Sequence, residues 1–544
     1  EVQTLLRSGI LKNEIDGHTI FRQYNLGSIL GYEEGRTCID NVLEFPPAHW
    51  AVVRLTGEMR LNKYWQLPYE KGPVVSEGRL SAELRALFND SIRLRLVSDV
   101  PVAAFLSGGL DSSSIVASAA SLLKAYQLKT LTVWYTEGYA ATRWGKEEND
   151  LKYARLLARH LAKRIEHDIV EVGVSALSLE NLDSVMDFAR IPDHIREIAM
   201  FYNYRAVKDA GVRVVLNGQG SDEIMGGYMG LGGFPDYLLF SRSPDTDLME
   251  RFFPSLLLST RKDILNPEVL QDSQNIYRDF MRHLYSFEGE LIEKGHRLLV
   301  DTQLRQFIHM EDFLSMHFGV ECRLPFLDYR LVQWVFRQPF GIHIDQQTRT
   351  GKMLLRKAMS GILPKPLLRR PKAPFPMGDP EHARQQLSKL FRDSRQEIIH
   401  SNIVRRIYTQ EFLNDEHSAD GSLQELWMLV VLWRWEEALK RASASKENTF
   451  LHKESKIQQI QIDKEPATAA QNNKALFIEP PAVALRQLPL KIPHLVDYLR
   501  DHGFNDIKTF DMNIAYLKEM KPAWFLYTLF DRACSTIEKK NILI

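Results

Sequence analysis

Between residues 100 and 113 an apolar run, Val100-Pro101-Val102-Ala103-Ala104-Phe105-Leu106, stops at a pair of glycines and passes straight into a helical pattern through Ser107-Gly108-Gly109-Leu110-Asp111-Ser112-Ser113. A short strand that is apolar throughout has both faces covered, and a parallel sheet between helix layers provides that. The same rhythm continues downstream. Strand-like runs recur at 130–135, 165–172 and 212–216, with helical patterns at 112–126, 151–161 and 198–207. Before them a helical stretch carrying Leu84, Leu87 and Ile92 ends near Ser98. The alternation predicts an α/β fold, a doubly wound parallel sheet.

The rest of the chain reads differently. Residues 51–65 predict two short strands around Thr56-Gly57-Glu58, a hairpin turn with Gly supplying the unusual backbone angles. Residues 235–440 lose the strand signal and read as a helical half, with Pro breaks at Pro244, Pro254 and Pro267. Residues 441–473 are polar and predict a linker. Residues 474–544 recover globular composition, with a strand at 475–478 and a helix at 492–501, and predict a small α/β appendage. The expected boundaries are therefore 1–78, 79–440, 441–473 and 474–544.

Composition narrows the function. Lys+Arg and Asp+Glu both number 69, so no global basic field exists to hold nucleic acid or an anionic membrane. The three cysteines, Cys38, Cys322 and Cys534, are far apart, which disfavours zinc and iron–sulfur sites and fits a reducing compartment. The strongest apolar run, 426–433, falls short of the roughly 20 residues of a membrane span. With no signal peptide at the start, the expectation is a cytoplasmic protein. Glu1 in place of Met suggests a processed product or a fragment.

The loop at 107–113 carries the chemistry. Two glycines let backbone amides approach an anion without a Cβ in the way. The free amides of the helix start and the Ser hydroxyls then point at that anion. No Gly-Lys-Ser/Thr follows, so this is not a Walker loop. Asp111 is misplaced for direct phosphate contact but suits a magnesium ion that bridges phosphate oxygens. A second loop, Asn217-Gly218-Gln219-Gly220-Ser221-Asp222-Glu223, follows the strand at 212–216. Loops at the carboxyl ends of neighbouring parallel strands form the usual ligand crevice, and there Asp222 can face Asp111 across one metal.

The string SGGLDSS resembles the pyrophosphate loop of ATP pyrophosphatases, of the adenine nucleotide α-hydrolase-like type. Over residues 1–440 the chain resembles, more closely, the synthetase half of glutamine-dependent asparagine synthetase. The strings are SGGLDSS at 107–113, NGQGSDEIMGGY at 217–228, GVECRLPFLDYRLV at 319–332, GKMLLRKA at 351–358, RRPKAPF at 369–375 and LWMLVVLWRW at 426–435. The resemblance implies an AMP-forming, ATP-binding carbon–nitrogen ligase of asparagine biosynthesis, with Mg2+. It implies that Ser107, Gly108, Gly109 and Ser112 hold pyrophosphate, that Asn217 and Gly218 touch ATP, and that Leu106 and Val133 surround adenine through backbone groups. It makes Lys372, within a basic stretch whose prolines predict a stiff loop, the cation that stabilises acyl transfer. Arg369 and Arg370 stay outside that set, being structural or helping to hold pyrophosphate. Asp150 matches an acidic position near the nucleotide and serves equally as a helix cap. Glu321 and Asp328 are expected to tie the helical half together, and Cys322 and the tryptophans at 427, 433 and 435 to pack.

One position departs from that pattern. The family usually carries Glu where this chain has Gln219, and an amide cannot act as a base. Gln at this position resembles natural-product amide ligases of the superfamily, of the lasso-cyclase or β-lactam-synthetase kind. Residues 1–75 resemble only the last part of the family's glutaminase domain, whose nucleophile is a first-residue cysteine. Intrinsic glutaminase activity is therefore not expected. The nitrogen would come from solution, from a separate glutaminase subunit or from an amine in the substrate. Residues 475–481 and 488–513 resemble the start of a cobalamin-binding-type domain. That domain's Asp-x-His-x-x-Gly is absent and no CxxxCxxC exists, so neither cobalamin nor an iron–sulfur centre is expected. Three functions remain: an amide ligase whose simplest partners are aspartate and ammonia, a natural-product ligase for a peptide or larger carboxylate, and a nucleotide-binding subunit without turnover.

Overall fold

The computed structural model describes most of residues 35–135, 150–172, 179–186, 196–240, 262–372 and 380–444, with short breaks, a few residues before 35 and four short strands after 461. Strands β1 (His49–Val53) and β2 (Met59–Lys63) pair antiparallel, His49 opposite Lys63 and Val53 opposite Met59. They form the expected hairpin, and its tip at 55–57 lies outside the described residues.

The expected parallel sheet is present. It comprises β3 (Val102–Phe105), β4 (Leu128–Tyr135), β5 (Ile165–Val172), β6 (Val214–Leu216) and β7 (Glu321–Arg323), in the order β5-β4-β3-β6-β7, and every neighbouring pair is parallel. Val102, Ala103 and Ala104, and likewise Val214, Val215 and Leu216, are all buried whatever their parity. Both faces are therefore covered, which is why these strands read as continuous apolar runs. Chain order reverses between β3 and β6, so the loops after these two strands flank the topological switch point.

The helices that matter below are α1 (Glu77–Arg95), α2 (Leu110–Leu122), α3 (Asp150–His160), α4 (Leu179–Met186), α5 (Arg196–Asp209), α6 (Ser221–Met225), α7 (Leu291–Leu299), α8 (Arg305–His317), α9 (Tyr329–Phe336), α10 (Met353–Ala358), α11 (Lys365–Arg369) and α12 (Leu423–Ala444). Helix α2 is built from Ser and Ala, buried from Ser112 to Ala120, and small side chains let it lie close on the sheet. Helix α12 is buried on all sides from Glu425 to Trp433, as a helix through the middle of a core must be. Its start is a capping box: the Ser422 amide donates to Glu425 Oε2 at 2.7 Å and the Glu425 amide to Ser422 Oγ at 3.3 Å. Arg434 pairs with Asp183, fastening α12 to α4.

Three expectations need correction. The stretch 235–440 does not lose the sheet entirely, because Glu321-Cys322-Arg323 is its fifth strand. Three residues with charged ends show no alternation, and their strand state comes from pairing with β6. Residues 365–369 form a helical turn, α11, where a stiff loop was expected; Pro366 lies in its first turn, where a missing N–H costs nothing. Pro267 likewise opens a helix, Pro267–Ser286. The prolines at 244 and 254 and the expected helix at 492–501 lie outside the described residues.

The chain divides into two compact units, Glu1–Glu44 with Leu67–Thr449, and Phe45–Gln66 with Phe450–Ile544. The second contains the β1–β2 hairpin, extended by β8 (Ile462–Asp463) beside β2 and β11 (Ile542–Leu543) beside β1. It also contains a parallel pair, β9 (Lys474–Ile478) with β10 (Asp506–Phe510).

Asp328 behaves as expected, tying helices together. Buried, it caps α9 by accepting from the Arg330 amide at 3.0 Å, and it pairs with Arg330 at 2.9 Å and Arg95 of α1 at 3.1 Å. Glu321 is exposed and pairs with Arg323 beside it. Burial alone would raise the Asp328 carboxyl, but the bonds from Arg330 and Arg95 outweigh it and hold it below the ordinary value. A depressed acid stabilises the fold above its unfolded pKa and loses that contribution as pH falls through the folded one. Asp328→Asn should therefore lower stability at pH 7 by about 1–3 kcal/mol. In urea melts the gap to the wild type should close as pH drops below about 4.

Candidate active site

After β3 the backbone turns at Gly108, with φ of +75°, and Gly109 caps α2. A Cβ on Gly108 would lie 2.5 Å from the Asp150 carbonyl oxygen and 2.6 Å from the Ala154 nitrogen. This glycine thus serves the packing of the loop against α3 as well as its turn. Ser107 and Ser112 hydroxyls meet at 3.0 Å. Asp150, the first residue of α3, pairs with the buried Arg370, whose guanidinium also stacks on Tyr153 at 4.4 Å. Leu106 is buried and its amide is committed to Leu131 O at 2.9 Å, while Thr132 Oγ1 donates to its carbonyl. Val133 is half-buried on β4, opposite Val170.

The loop after β6 comes alongside. Ser221 Oγ donates to Asp111 Oδ1 at 2.6 Å. Asp111 and Asp222 both reach one group, the ammonium of Lys352. Lys352 Nζ lies 2.6 Å from Asp111 Oδ2 and 2.6 Å from Asp222 Oδ1, and Lys372 Nζ lies 2.6 Å from Asp222 Oδ2. The order Asp111–Lys352–Asp222–Lys372 alternates in sign. Burial would raise the Asp222 carboxyl, but the two ammoniums outweigh it and hold it far below the ordinary carboxylate range. Burial would likewise lower Lys372, but Asp222 and then Asp111 raise it above the ordinary lysine value. Gln219 is half-buried on the same loop, and its side chain makes no hydrogen bond to another described residue.

Behind this row two carboxylates form no ion pair among the described residues, although the Lys352 and Lys372 charges reach Glu223. Glu311 of α8 is buried and accepts from Asn217 Nδ2 at 2.9 Å and from the Tyr204 hydroxyl, with Cys322 Sγ at 3.9 Å. Burial pushes its carboxyl up to about 7 against the pull of those three bonds. Burial also drives the Cys322 thiol well above its ordinary value, which suits a packing role. Glu223, wholly buried, accepts from the Tyr228 hydroxyl, and its Oε2 has no partner. Burial and the Asp222 charge push it up to about 7.

The sequence-predicted residues Ser107, Gly108, Gly109, Asp111, Ser112, Asn217, Gly218, Gln219, Asp222 and Lys372 are thus gathered at the ends of β3 and β6, with Leu106 just after β3 and Val133 on β4 beside them. Sequence reasoning missed Lys352, Glu311 and the Asp150–Arg370 pair. Lys352 had a signal only in the string GKMLLRKA, and Glu311 lies in a helix with no local mark. Among the described residues no cluster of three His, Cys, Asp or Glu could hold a metal, and no helix is long and apolar enough to cross a membrane.

The family model described as asparagine synthase matches residues 83–439. Asparagine synthetase (glutamine-hydrolyzing) 3 of Bacillus subtilis is 27% identical over 433 residues, which are 75% of this chain and 66% of that protein. Amidase chry2 of Gibberella zeae is 24% identical over 391 residues, 60% of this chain and 57% of that protein. The chain thus spans about two thirds or less of these curated relatives. Among solved structures, the NH3-dependent NAD synthetase of Campylobacter jejuni aligns at 16% identity with a TM-score of 0.21, covering 43% of this chain and 96% of that one.

Two outcomes follow from this geometry. Gly108→Ala should displace the loop and lower the melting temperature, since neither its backbone angle nor the Asp150 backbone leaves room for a methyl group. A raised acid binds its proton more tightly in the folded state, so stability falls as pH rises from the unfolded pKa through the folded one. Glu311 and Glu223 should each contribute a falling slope of up to about 1.4 kcal/mol per pH unit between roughly pH 4.5 and 7. Glu311→Gln should remove its share, read from urea melts across that range.

Proposed function

The chain belongs to the asparagine synthase family, and from that membership we propose that it is an ATP-dependent carbon–nitrogen ligase whose catalytic domain is residues 79–440. A substrate carboxylate oxygen attacks the α-phosphorus of ATP, and pyrophosphate leaves. The nitrogen lone pair of ammonia or an amine then attacks the acyl carbon of the adenylate, and AMP leaves. The observation that carries this reading is the meeting of the 107–113 and 217–223 loops at the switch point, with two carboxylates and two ammoniums within ion-pair distance.

In this reading Ser107, Gly108, Gly109 and Ser112 hold the pyrophosphate on the start of α2. Asn217 and Gly218 lie against the nucleotide, with Leu106 and Val133 beside adenine; the Leu106 carbonyl, unlike its amide, retains a free lone pair. The donor set fits magnesium. Asp111 and Asp222 offer hard oxygens from two loops, few enough for phosphates and water to complete the shell. Held there, the ion would screen phosphate charge during the displacement. Lys372 faces the acyl group and stabilises the negative charge that develops as the nucleophile adds. Its raised pKa makes it a fixed cation and a poor base, so it does not take the proton of the attacking nitrogen.

Aspartate and ammonia are the simplest substrates, with ammonia coming from solution or from a separate glutaminase subunit. Gln219 favours a second reading. Its amide cannot remove the proton from the incoming nitrogen, and it is free to hydrogen-bond a larger acyl group. A natural-product ligase acting on a peptide or larger carboxylate would use the same activation chemistry.

Incubation with ATP, Mg2+, aspartate and ammonium should yield AMP and pyrophosphate; ADP and phosphate would refute the chemistry. Pyrophosphate release that depends on another carboxylate but not on aspartate would select the second reading. Asp111→Ala should lower pyrophosphate release by at least ~100-fold, followed by a coupled pyrophosphate assay.

A further inference from the structure

The residue most elaborately built into the crevice is one for which the expected chemistry has no assignment. Lys352 is 4% exposed at its side chain, with its ammonium 2.6 Å from both Asp111 and Asp222. It caps α10 with φ of +58°, a left-handed backbone that a lysine rarely adopts. Its amide donates to the Met225 carbonyl at 3.2 Å, fixing its chain to the end of α6. Across from it stands Gly227. A Cβ there would lie 1.9 Å from Asp222 Oδ1 and 2.4 Å from Lys352 Cε. Backbone conformation and a missing side chain therefore combine to deliver one ammonium to one place.

That place is the gap between the two carboxylates assigned to the metal. We propose that Lys352 reserves this gap, so that a divalent cation enters only together with the phosphates of the nucleotide. The inference rests on the reading that Asp111 and Asp222 take the ion.

The charges give the reason. Asp111 and Asp222 contribute two negative charges, and Lys352 and Lys372 contribute two positive ones. Arg356 is also near, its guanidinium held by the carbonyls of Gly351, Leu368 and Arg370 and sensing the Asp111 charge. A free divalent cation meets no net attraction, and it faces two ammoniums at close range. A triphosphate changes this. It brings several negative charges that accept the ammonium, and a lysine on a flexible stem can swing to them while keeping its charge paired. The carboxylates then become available to the ion. A merely structural Lys352 would predict only lost stability on its removal, with no gain in metal affinity.

The experiment measures binding of Mn2+ alone to the full chain, without nucleotide, from the paramagnetic signal of the free ion. Lys352→Met, checked as folded by circular dichroism, should bind Mn2+ at least tenfold more tightly than the wild type. Lys352→Arg should stay as weak as the wild type, and Asp222→Asn added to Lys352→Met should abolish the gain. Equal affinity in the wild type and folded Lys352→Met overturns the inference. If Lys352→Met does not fold, the wild type alone decides. Mg2+ by itself should leave its melting temperature unchanged while Mg2+ with ATP raises it, and an equal rise with Mg2+ alone overturns the inference. Wild-type protein that binds ATP but takes no Mn2+ even then would sink the assignment of Asp111 and Asp222 to a metal, a different failure.

Discussion

Two carboxylates held face to face inside a protein repel each other, and the architecture around residues 107–113 and 217–223 answers that repulsion. Asp111 comes from the start of α2 and Asp222 from α6, carried there by adjacent parallel strands. Lys352 forms ion pairs with both, and Lys372 pairs with the far side of Asp222. The lysines come from chain far downstream, ahead of α10 and after α11. The ion pairs therefore fasten the helical half to the sheet at the point where chemistry is proposed. Buried ion pairs often fail to repay their desolvation. Here the attraction wins at Asp222, whose carboxyl is held well below its ordinary value despite burial.

Glu311 and Glu223 show what a buried carboxylate does when no ammonium is paired directly to it among the described residues. Burial drives both up to about 7. The contrast with Asp222, next in sequence to Glu223, comes from neighbours and not from residue type. Asp222 has two ammoniums within 2.6 Å, whereas Glu223 has one hydroxyl and an unpartnered oxygen. Glu311 has a further consequence for the nucleotide loop. As an acceptor it holds the Asn217 Nδ2 group, which restrains a side chain proposed to touch ATP.

The family scaffold and the departure at Gln219 are separable. Strand order, the two loops, both lysines and both aspartates make up the site for which carboxylate activation is proposed. None of these depends on the residue at 219, whose side chain makes no hydrogen bond among the described residues. In the proposed chemistry, an amide in place of an acid there removes a proton acceptor and leaves the activation residues in place. That is the physical sense in which one fold can serve ammonia in one member and a larger amine or acid in another.

The sheet and its loops were legible along the chain because their signals are local. Apolar runs of strand length, glycines at the turns and Ser or Asp at a helix start each act within a few residues. Helices α2, α3 and α5 and four of the five parallel strands follow from that alone. Strand β7 did not, since Glu321-Cys322-Arg323 becomes a strand only through its bonds to β6. Lys352 was equally silent. A lysine before a short helix is ordinary in sequence, and only its left-handed backbone and the space beside Gly227 turn it toward the two aspartates. Glu311 reads as a polar residue on an amphipathic helix until Tyr204, Asn217 and Cys322 close around it. The sequence by itself determined which loops form the candidate site and which carboxylates they carry, because backbone conformation near a glycine is a local matter. Tertiary structure alone decided which cations meet those carboxylates and what protonation state each acid keeps, because charge and desolvation depend on groups hundreds of residues apart.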